Sequence, residues 1–279
     1  VEKIRQHIGP GKKAVIVGGG YIGLETAAML RQLNLEVTIL ESAERILNRV
    51  TAPELSAFYA RVHKEEGVCI ESSVNITEFA GDTHVSEVRC QDGNIYPADL
   101  VIVGIGVIPN IELAEAAGLK TDNGICVDGN CLTNDADIVA AGDCTSHFNA
   151  FYNRHLRLEC VQNAMDQAKV AATTLCGKPN QYNALPWFWS DQFDLKLQIA
   201  GLSHEYDELV VRGDPESGRK MAVFYYRKGK MIAVDAVNSP QEFMIGKQII
   251  ARGLAVDKGK LSDPAVAMKS LINISQSGI

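Results

Sequence analysis

Several features that would place this sequence in a specialised class of protein are absent from it. No C-x-x-C pair occurs among its seven cysteines, so neither a disulfide framework nor a zinc site is expected, and a reducing cytoplasm fits best. The longest apolar run, 100–109, is too short to cross a bilayer, which needs about 20 residues. The 27 basic residues are outnumbered by 34 acidic ones, which argues against general binding to nucleic acids or anionic membranes. No signal peptide opens the chain, and its first residue, Val1, indicates that an upstream segment was removed or never included.

What the sequence does contain is an alternation of strands and helices that is typical of α/β proteins. Short apolar, β-branched runs at 13–17, 37–40 and 100–103 predict buried strands, and 21–33 has the apolar spacing of a helix. This order predicts a doubly wound parallel sheet over residues 1–110.

The remainder of the chain has a different character and is predicted to form two further parts. Residues 111–184 contain a strand at 138–141 and a long helix at 161–176, which are too few elements for a sheet core of their own. Residues 185–279 are predicted to form a separate α+β domain. Its antiparallel strands are expected at 195–202, 208–212, 221–227 and 231–237, and its helices at 240–252 and 264–272.

The strongest local motif is a G-x-G-x-x-G formed by Gly18, Gly20 and Gly23. It follows a predicted strand, opens a predicted helix and precedes a second strand that ends in an acidic residue, which is the context of a dinucleotide site. Gly18 permits a tight turn, Gly20 lets the backbone approach a pyrophosphate, and Gly23 lets helix and strand pack closely. The N–H groups at the helix start, around Tyr21 and Ile22, would hold the phosphates. The alternative is a glycine-rich turn without a ligand.

The acidic residue at the end of the second strand is Glu41, which can accept both ribose hydroxyls of an adenosine. A carboxylate there repels a 2′-phosphate and so favours NADH over NADPH. Arg45 and Arg49 favour NADPH instead, because either side chain could bind a phosphate. Since the acid occupies the direct contact position, we expect NADH, with Arg49 among the residues that contact it.

Four stretches of the chain carry a resemblance to a known family. They are GGGYIGLE at 18–25, VGIGVIPN at 103–110, AAGDC at 140–144 and WFWSDQFDLKL at 187–197. They are similar to the FAD-dependent NADH:ferredoxin reductases, the family that includes the reductases of putidaredoxin, of dioxygenase ferredoxins and of rubredoxin. The resemblance implies a Rossmann-like NAD(H)-binding domain at 1–110, the C-terminal part of an FAD-binding domain at 111–184 and a C-terminal α+β reductase domain at 185–279.

The resemblance also assigns roles near the nicotinamide. Glu25 would help to place the nicotinamide ring, and Gly104 and Gly106 would lie along it. An interior strand glycine often marks the close approach of a ligand or of another backbone. A solvent-facing carboxylate that complements the helix dipole is an equally open role for Glu25.

Three further roles concern the flavin. Trp189 would stand beside it, Asp143 would hold a ribityl hydroxyl of FAD, and the backbone of Val161 would meet the pyrimidine edge of the ring. Two alternatives stay open: Asp143 could cap the following turn, and Trp189 could be an ordinary core residue.

No second G-x-G-x-x-G occurs, although the family begins with one that binds the FAD adenosine. The resemblance therefore implies that an N-terminal flavin-binding segment, on the order of 100 residues, is absent. We expect this chain to bind NADH, to bind FAD weakly or not at all, and to be inactive by itself.

The implied function is electron transfer from NADH through FAD to an iron–sulfur ferredoxin or a rubredoxin. Arg154, His155 and Arg157 could attract an acidic partner or form a solvated loop. We expect a cytoplasmic monomer or weak dimer without nucleic acid, membrane or metal. The alternatives are a flavoprotein disulfide or persulfide reductase or an NADH oxidase of the same superfamily, and a non-enzymatic NADH-sensing module.

Overall fold

A computed structural model describes residues 2–178 and 180–273. The helices are α1 (Glu2–Arg5), α2 (Tyr21–Gln32), α3 (Pro53–Glu65), α4 (Glu112–Ala116), α5 (Val161–Leu175), α6 (Pro240–Arg252), α7 (Lys258–Ser262) and α8 (Met268–Asn273). The strands are β1 (Lys13–Val17), β2 (Glu36–Glu41), β3 (Val68–Ser72), β4 (Ile76–Ala80), β5 (Glu87–Cys90), β6 (Ile95–Pro97), β7 (Leu100–Val103), β8 (Ile125–Val127), β9 (Thr145–Asn149), β10 (Arg154–Leu156), β11 (Trp187–Gln192), β12 (Leu195–Gly201), β13 (Glu208–Gly213), β14 (Met221–Arg227) and β15 (Lys230–Val237).

The first hundred residues are organised around a parallel sheet with the strand order β3-β2-β1-β7. Ile16 and Ile39, in the two middle strands, are fully buried, as expected where helices or loops cover both faces of a parallel sheet. The register pairs Val17 with Leu40 and with Val103. The carboxyl ends of β1, β2 and β7 therefore lie side by side, which is the edge where sheets of this kind bind ligands.

A five-stranded antiparallel sheet with the order β11-β12-β15-β14-β13 follows late in the chain. Six consecutive residues of β14, from Met221 to Tyr226, are buried because the strand is covered on both faces. Helix α6 lies close on β15, and a Cβ added at Gly246 would stand 2.8 Å from the Cγ1 of Val234. The predicted α/β class, with a parallel Rossmann-like sheet and an antiparallel sheet, is confirmed.

The segment between these sheets contains a small sheet with the order β10-β9-β8 and the long helix α5. On its inner face α5 packs Val170 and Ala171 against Cys131. The strand predicted at 138–141 is wrong, because that backbone pairs with its surroundings only through an isolated bridge between Leu132 and Val139. The strand next to β8 is instead formed by 145–149, which the sequence analysis left without an element.

The chain divides into two compact units. The first comprises the described residues up to Gly106, together with Trp189–Gln198 and those from Ser203 onward. The second comprises Val107–Phe188 and Ile199–Leu202. The division into three domains at 1–110, 111–184 and 185–279 stays a prediction. Over residues 2–178 and 180–273, no helix has the length and apolar character needed to span a bilayer.

Candidate functional site

The turn after β1 is held together by close contacts between backbone atoms. Gly18 has φ +104°, a conformation that residues with a side chain rarely adopt, and a Cβ there would lie 2.4 Å from the carbonyl oxygen of Gly104. A Cβ on Gly23 would lie 2.1 Å from the carbonyl oxygen of Gly18. Glycine at these positions therefore lets the start of α2 and the end of β7 pack directly against the turn.

Gly20 differs from its two neighbours in the motif because it faces open space. Apart from its own chain neighbours, no heavy atom of the described residues lies within 4 Å of a Cβ built there, and its backbone has the ordinary extended values φ −79° and ψ −179°. The space is a cavity of about 470 Å³, lined among others by Gly18, Gly20, Tyr21, Glu41, Arg49 and Gly104. The first-turn N–H groups of a helix lack intrahelical acceptors and favour anions. A turn without side chains, open to a cavity at a helix start, fits a pyrophosphate.

Glu41 ends β2 with its carboxylate fixed beside this turn. Its Oε2 accepts a hydrogen bond from the N–H of Gly19 at 2.7 Å, and its Oε1 accepts one from the N–H of Ala43 at 2.8 Å. Oε1 also accepts a long hydrogen bond from the Ser42 hydroxyl at 3.3 Å. Each carboxylate oxygen has two lone pairs, so Oε2 keeps one for a sugar hydroxyl, and a second sugar hydroxyl could replace that of Ser42 at Oε1. The arrangement fits a ribose bound next to a pyrophosphate.

The two arginines that follow Glu41 occupy different positions. Arg45 donates from Nη2 to the carbonyl oxygens of Asn48 at 3.1 Å and Thr51 at 2.9 Å, which commits its guanidinium to the loop between β2 and α3. Arg49 lines the cavity. Of the two, Arg49 is therefore the one placed to meet a ligand.

A buried carboxylate anchors the end of the same loop. Thr51 Oγ1 and the Tyr225 hydroxyl donate to Asp235 Oδ2 at 2.8 and 2.6 Å. Burial raises the pKa of Asp235 to about 6, although both hydrogen bonds act to lower it. Burial, and then the charge of Asp235, raise the pKa of Tyr21 in the glycine motif. Asp235 could not be identified from the sequence, because its partner Thr51 lies 184 residues away.

Glu25 lies on α2 and is held by a buried residue of β11. Ser190 Oγ donates to Glu25 Oε1 at 2.5 Å, and Gln192 Nε2 donates to Ser190 Oγ at 3.0 Å. The Nε2 atom of His63 is 2.8 Å from Gln192 Oε1. Ser190, Gln192 and His63 are buried, whereas Trp189 is 45% exposed. Glu25 and Trp189 were predicted from the sequence as site residues, whereas the three buried residues were not.

The predicted cofactor residues are not all at the cavity. Gly18, Gly20, Tyr21, Glu41, Arg49 and Gly104 line it, whereas Ile22, Gly23, Glu25, Gly106 and Trp189 belong to the same unit without lining it. Ile22 is 63% exposed in the first turn of α2, and Gly106 follows β7 with φ +118°.

Asp143 and Val161, predicted to contact the flavin, belong to the second unit. Val161 is the first residue of α5 and is exposed. Asp143 is exposed in the turn before β9, and its carbonyl oxygen accepts a long hydrogen bond from Arg157 at 3.4 Å. Gln167 is fully buried on α5, and its Oε1 accepts from the N–H of Gly142 at 2.7 Å. Gln167 therefore fixes the turn that carries Asp143.

Comparison with known proteins gives two family matches and close relatives. Residues 1–168 match the family described as pyridine nucleotide-disulphide oxidoreductase, and residues 187–272 match the one described as reductase C-terminal. Putidaredoxin reductase of Pseudomonas putida is 46% identical over 97% of this chain and 65% of its own length. The ferredoxin reductase subunit of 5,5′-dehydrodivanillate O-demethylase from Sphingobium sp. is 43% identical over 93% of this chain and 64% of its own length.

Solved structures show the same likeness. The covalent complex of putidaredoxin reductase with putidaredoxin matches with a TM-score of 0.94 at 45% identity, over 99% of this chain and 66% of that one. The ferredoxin reductase for the CYP199A2 system of Rhodopseudomonas palustris matches with a TM-score of 0.92 at 41% identity, over 96% of this chain and 67% of that one. The chain thus spans slightly less than two thirds of the length of the first two relatives. The geometry of the glycine turn and these matches together show that the chain belongs to the pyridine nucleotide-disulphide oxidoreductase family.

Proposed function

We propose that this chain is the NADH-binding and C-terminal portion of an FAD-dependent NADH:ferredoxin oxidoreductase. The observation that carries the proposal is the Glu41 carboxylate, fixed by the N–H groups of Gly19 and Ala43 beside an open glycine turn. Because two backbone N–H groups hold the carboxylate in this orientation, ribose binding does not have to restrain it first. The names of the relatives support the reaction class.

The nucleotide would be held by three groups of this chain. The turn at Gly18 and Gly20 would receive the pyrophosphate, Glu41 would accept the ribose hydroxyls, and Arg49 would reach the ligand from the loop. We propose NADH in preference to NADPH, because a 2′-phosphate would be brought against the Glu41 carboxylate. Arg45 offers little compensation, since its Nη2 already donates to two carbonyl oxygens.

The remaining predicted residues would orient the redox partners of the reaction. When bound, NADH supplies a hydride, and FAD accepts it and passes electrons on singly. Glu25, with Gly104 and Gly106, would place the nicotinamide, and Trp189 would lie beside the flavin. Ser190 holds the carboxylate of Glu25, so that this group has a defined position before the nucleotide arrives.

The flavin contacts proposed for the second unit are those of Asp143 and Val161. Asp143 would hold a ribityl hydroxyl, and the N–H groups at the start of α5 would face the pyrimidine edge, where a helix N-terminus stabilises negative charge. Gln167 maintains this arrangement by fixing the backbone of Gly142. We further propose the cytoplasm as the location and a monomer or weak dimer as the assembly.

The electron acceptor proposed is a ferredoxin or a rubredoxin. Arg154, His155 and Arg157 are candidates for attracting an acidic partner. Arg157 is partly neutralised by its ion pair with Glu159, so Arg154 and His155 are the better candidates.

The test is reduction of cytochrome c by NADH and the full-length flavoprotein that contains this chain, in the presence of a ferredoxin or a rubredoxin, since the chain by itself is expected to bind FAD weakly or not at all. We expect cytochrome c reduction to depend on the small electron carrier and to be faster with NADH than with NADPH. Glu41→Gln, which keeps the size of the side chain and removes its charge, should narrow the preference for NADH. Turnover of a disulfide or persulfide substrate without any dependence on an electron carrier would contradict the proposal.

A further inference from the structure

A chain of buried hydrogen bonds leads from Glu25 into the interior of the first unit. It runs through Ser190 and Gln192 on β11 and ends at His63 on α3. The three inner residues are 0–1% exposed. Polar groups buried to this degree are costly unless each finds a partner, so a continuous chain of them requires a physical reason.

Glu25 fixes which group donates and which accepts in each of these buried hydrogen bonds. A carboxylate only accepts hydrogen bonds, so Ser190 must donate its single hydroxyl proton to Glu25. The Ser190 oxygen then accepts from the amide nitrogen of Gln192, which turns the amide oxygen toward His63.

His63 completes the chain as a neutral donor. Burial lowers the pKa of His63 to about 4, so the ring carries one proton at neutral pH. The amide oxygen of Gln192 requires that proton on Nε2. The other nitrogen, Nδ1, has no hydrogen-bond partner among the residues that the structure describes, so it places no competing demand on the proton.

Strand β11, which carries Ser190 and Gln192 of these hydrogen bonds, also carries Trp189. Side chains alternate between the two faces of a strand, and here Trp189 and Asp191 are exposed while Ser190 and Gln192 are buried. The outer face of this short segment therefore presents the predicted flavin neighbour, and its inner face holds Glu25. One strand thus sets the positions of both predicted catalytic side chains.

We propose that Ser190 and Gln192 are positioning residues that hold the Glu25 carboxylate in one orientation for the nicotinamide, with His63 as the terminal donor. The inference rests on the proposed function, in which Glu25 helps to place that ring. Positioning by a buried chain matters for hydride transfer, because small displacements of the reacting groups lower the rate more than they weaken binding.

The first test is spectroscopic and does not depend on turnover. In the same full-length flavoprotein, labelled with 15N-histidine, the ring nitrogens of His63 are assigned by their loss in His63→Gln. We expect the Nε2–H tautomer in the wild type. Ser190→Ala and Glu25→Gln remove the constraint that turns the amide oxygen of Gln192 toward His63. Both variants should therefore shift His63 toward the Nδ1–H tautomer.

The second test separates binding from chemistry. In Ser190→Ala, the rate of flavin reduction by NADH should fall about tenfold, while the dissociation constant for NADH changes less than about twofold. Ser190→Thr retains the hydroxyl and should recover most of the rate. Ser239→Ala is the matched control, because it also removes a buried hydroxyl, one that donates to the Val237 carbonyl oxygen at 2.9 Å.

The outcomes distinguish this inference from the proposed function. A His63 tautomer that is unchanged in both variants, or wild-type flavin reduction in Ser190→Ala, would overturn the positioning role while leaving NADH binding intact. Absence of NADH binding in the wild type would instead refute the proposed function, and the tautomer measurement would still decide whether the buried chain is directed by Glu25.

Discussion

Replacing Asp235 by asparagine should remove one component of the pH dependence of stability. Asp235 is 1% exposed and accepts hydrogen bonds from Thr51 and Tyr225. Burial raises its pKa from the ordinary value of 3.8 to about 6. The native state therefore binds this proton more tightly than the unfolded state does.

The sign and size of the effect follow from that shift. Well below the ordinary pKa of 3.8 the group is protonated in both states and its ionisation costs nothing. As the pH rises toward 6, the unfolded state loses the proton first, so the free energy of unfolding falls. Above pH 6 the decrease in the free energy of unfolding reaches a plateau of about 3 kcal/mol, since each pKa unit corresponds to about 1.4 kcal/mol.

The assay is urea unfolding of the wild type and Asp235→Asn at a series of pH values from about 3.5 to 8. The free energy of unfolding of the wild type, minus that of the variant, should fall by about 3 kcal/mol across this range. Asp82→Asn, at an exposed position, is the control and should show no such change. A difference for Asp235→Asn that is flat, or that rises with pH, would refute the reasoning.

Three further predictions concern other parts of the molecule. Gly20→Ala should alter the free energy of unfolding by less than about 0.5 kcal/mol but weaken NADH binding at least about tenfold, as measured by urea unfolding and calorimetry. Gly23→Ala, whose Cβ would meet the Gly18 oxygen, should instead lower the free energy of unfolding by about 3 kcal/mol in the same urea experiment. Arg212→Met removes the ion-pair partner of the buried Glu242 and the donor to the carbonyl oxygens of Leu261 and Val266. The free energy of unfolding should therefore fall by about 3–5 kcal/mol, and amide hydrogen exchange should become faster in this C-terminal segment. Gln167→Leu leaves the Gly142 N–H without its acceptor and should reduce flavin retention by the full-length flavoprotein after gel filtration, and unchanged retention would contradict that role.

The glycine turn could be predicted from the sequence because its determinants are local. The three glycines and the strand before them lie within a dozen residues, and Glu41 follows at the end of the next strand, where the sheet geometry places it at the same edge. Each element needs only a short pattern to be identified.

The buried polar groups could not be predicted in the same way. Ser190 and Glu25 are 165 residues apart, and His63 and Gln192 are 129 apart. Nothing in the neighbouring sequence of Ser190 indicates its partner, because the contact exists only after β11 has folded against α2. The strand predicted at 138–141 fails for the related reason that a short apolar run does not determine whether a neighbouring strand will be available for pairing.

The central claim is that the turn and Glu41 together bind the nicotinamide dinucleotide. Its most direct test is calorimetric titration of NADH into the wild-type protein and Glu41→Ala. We predict one NADH bound per wild-type chain and affinity at least about tenfold weaker in the variant, which loses two charge-assisted contacts to the ribose. No heat of NADH binding from the folded wild type, or equal affinity in the two proteins, would contradict the account.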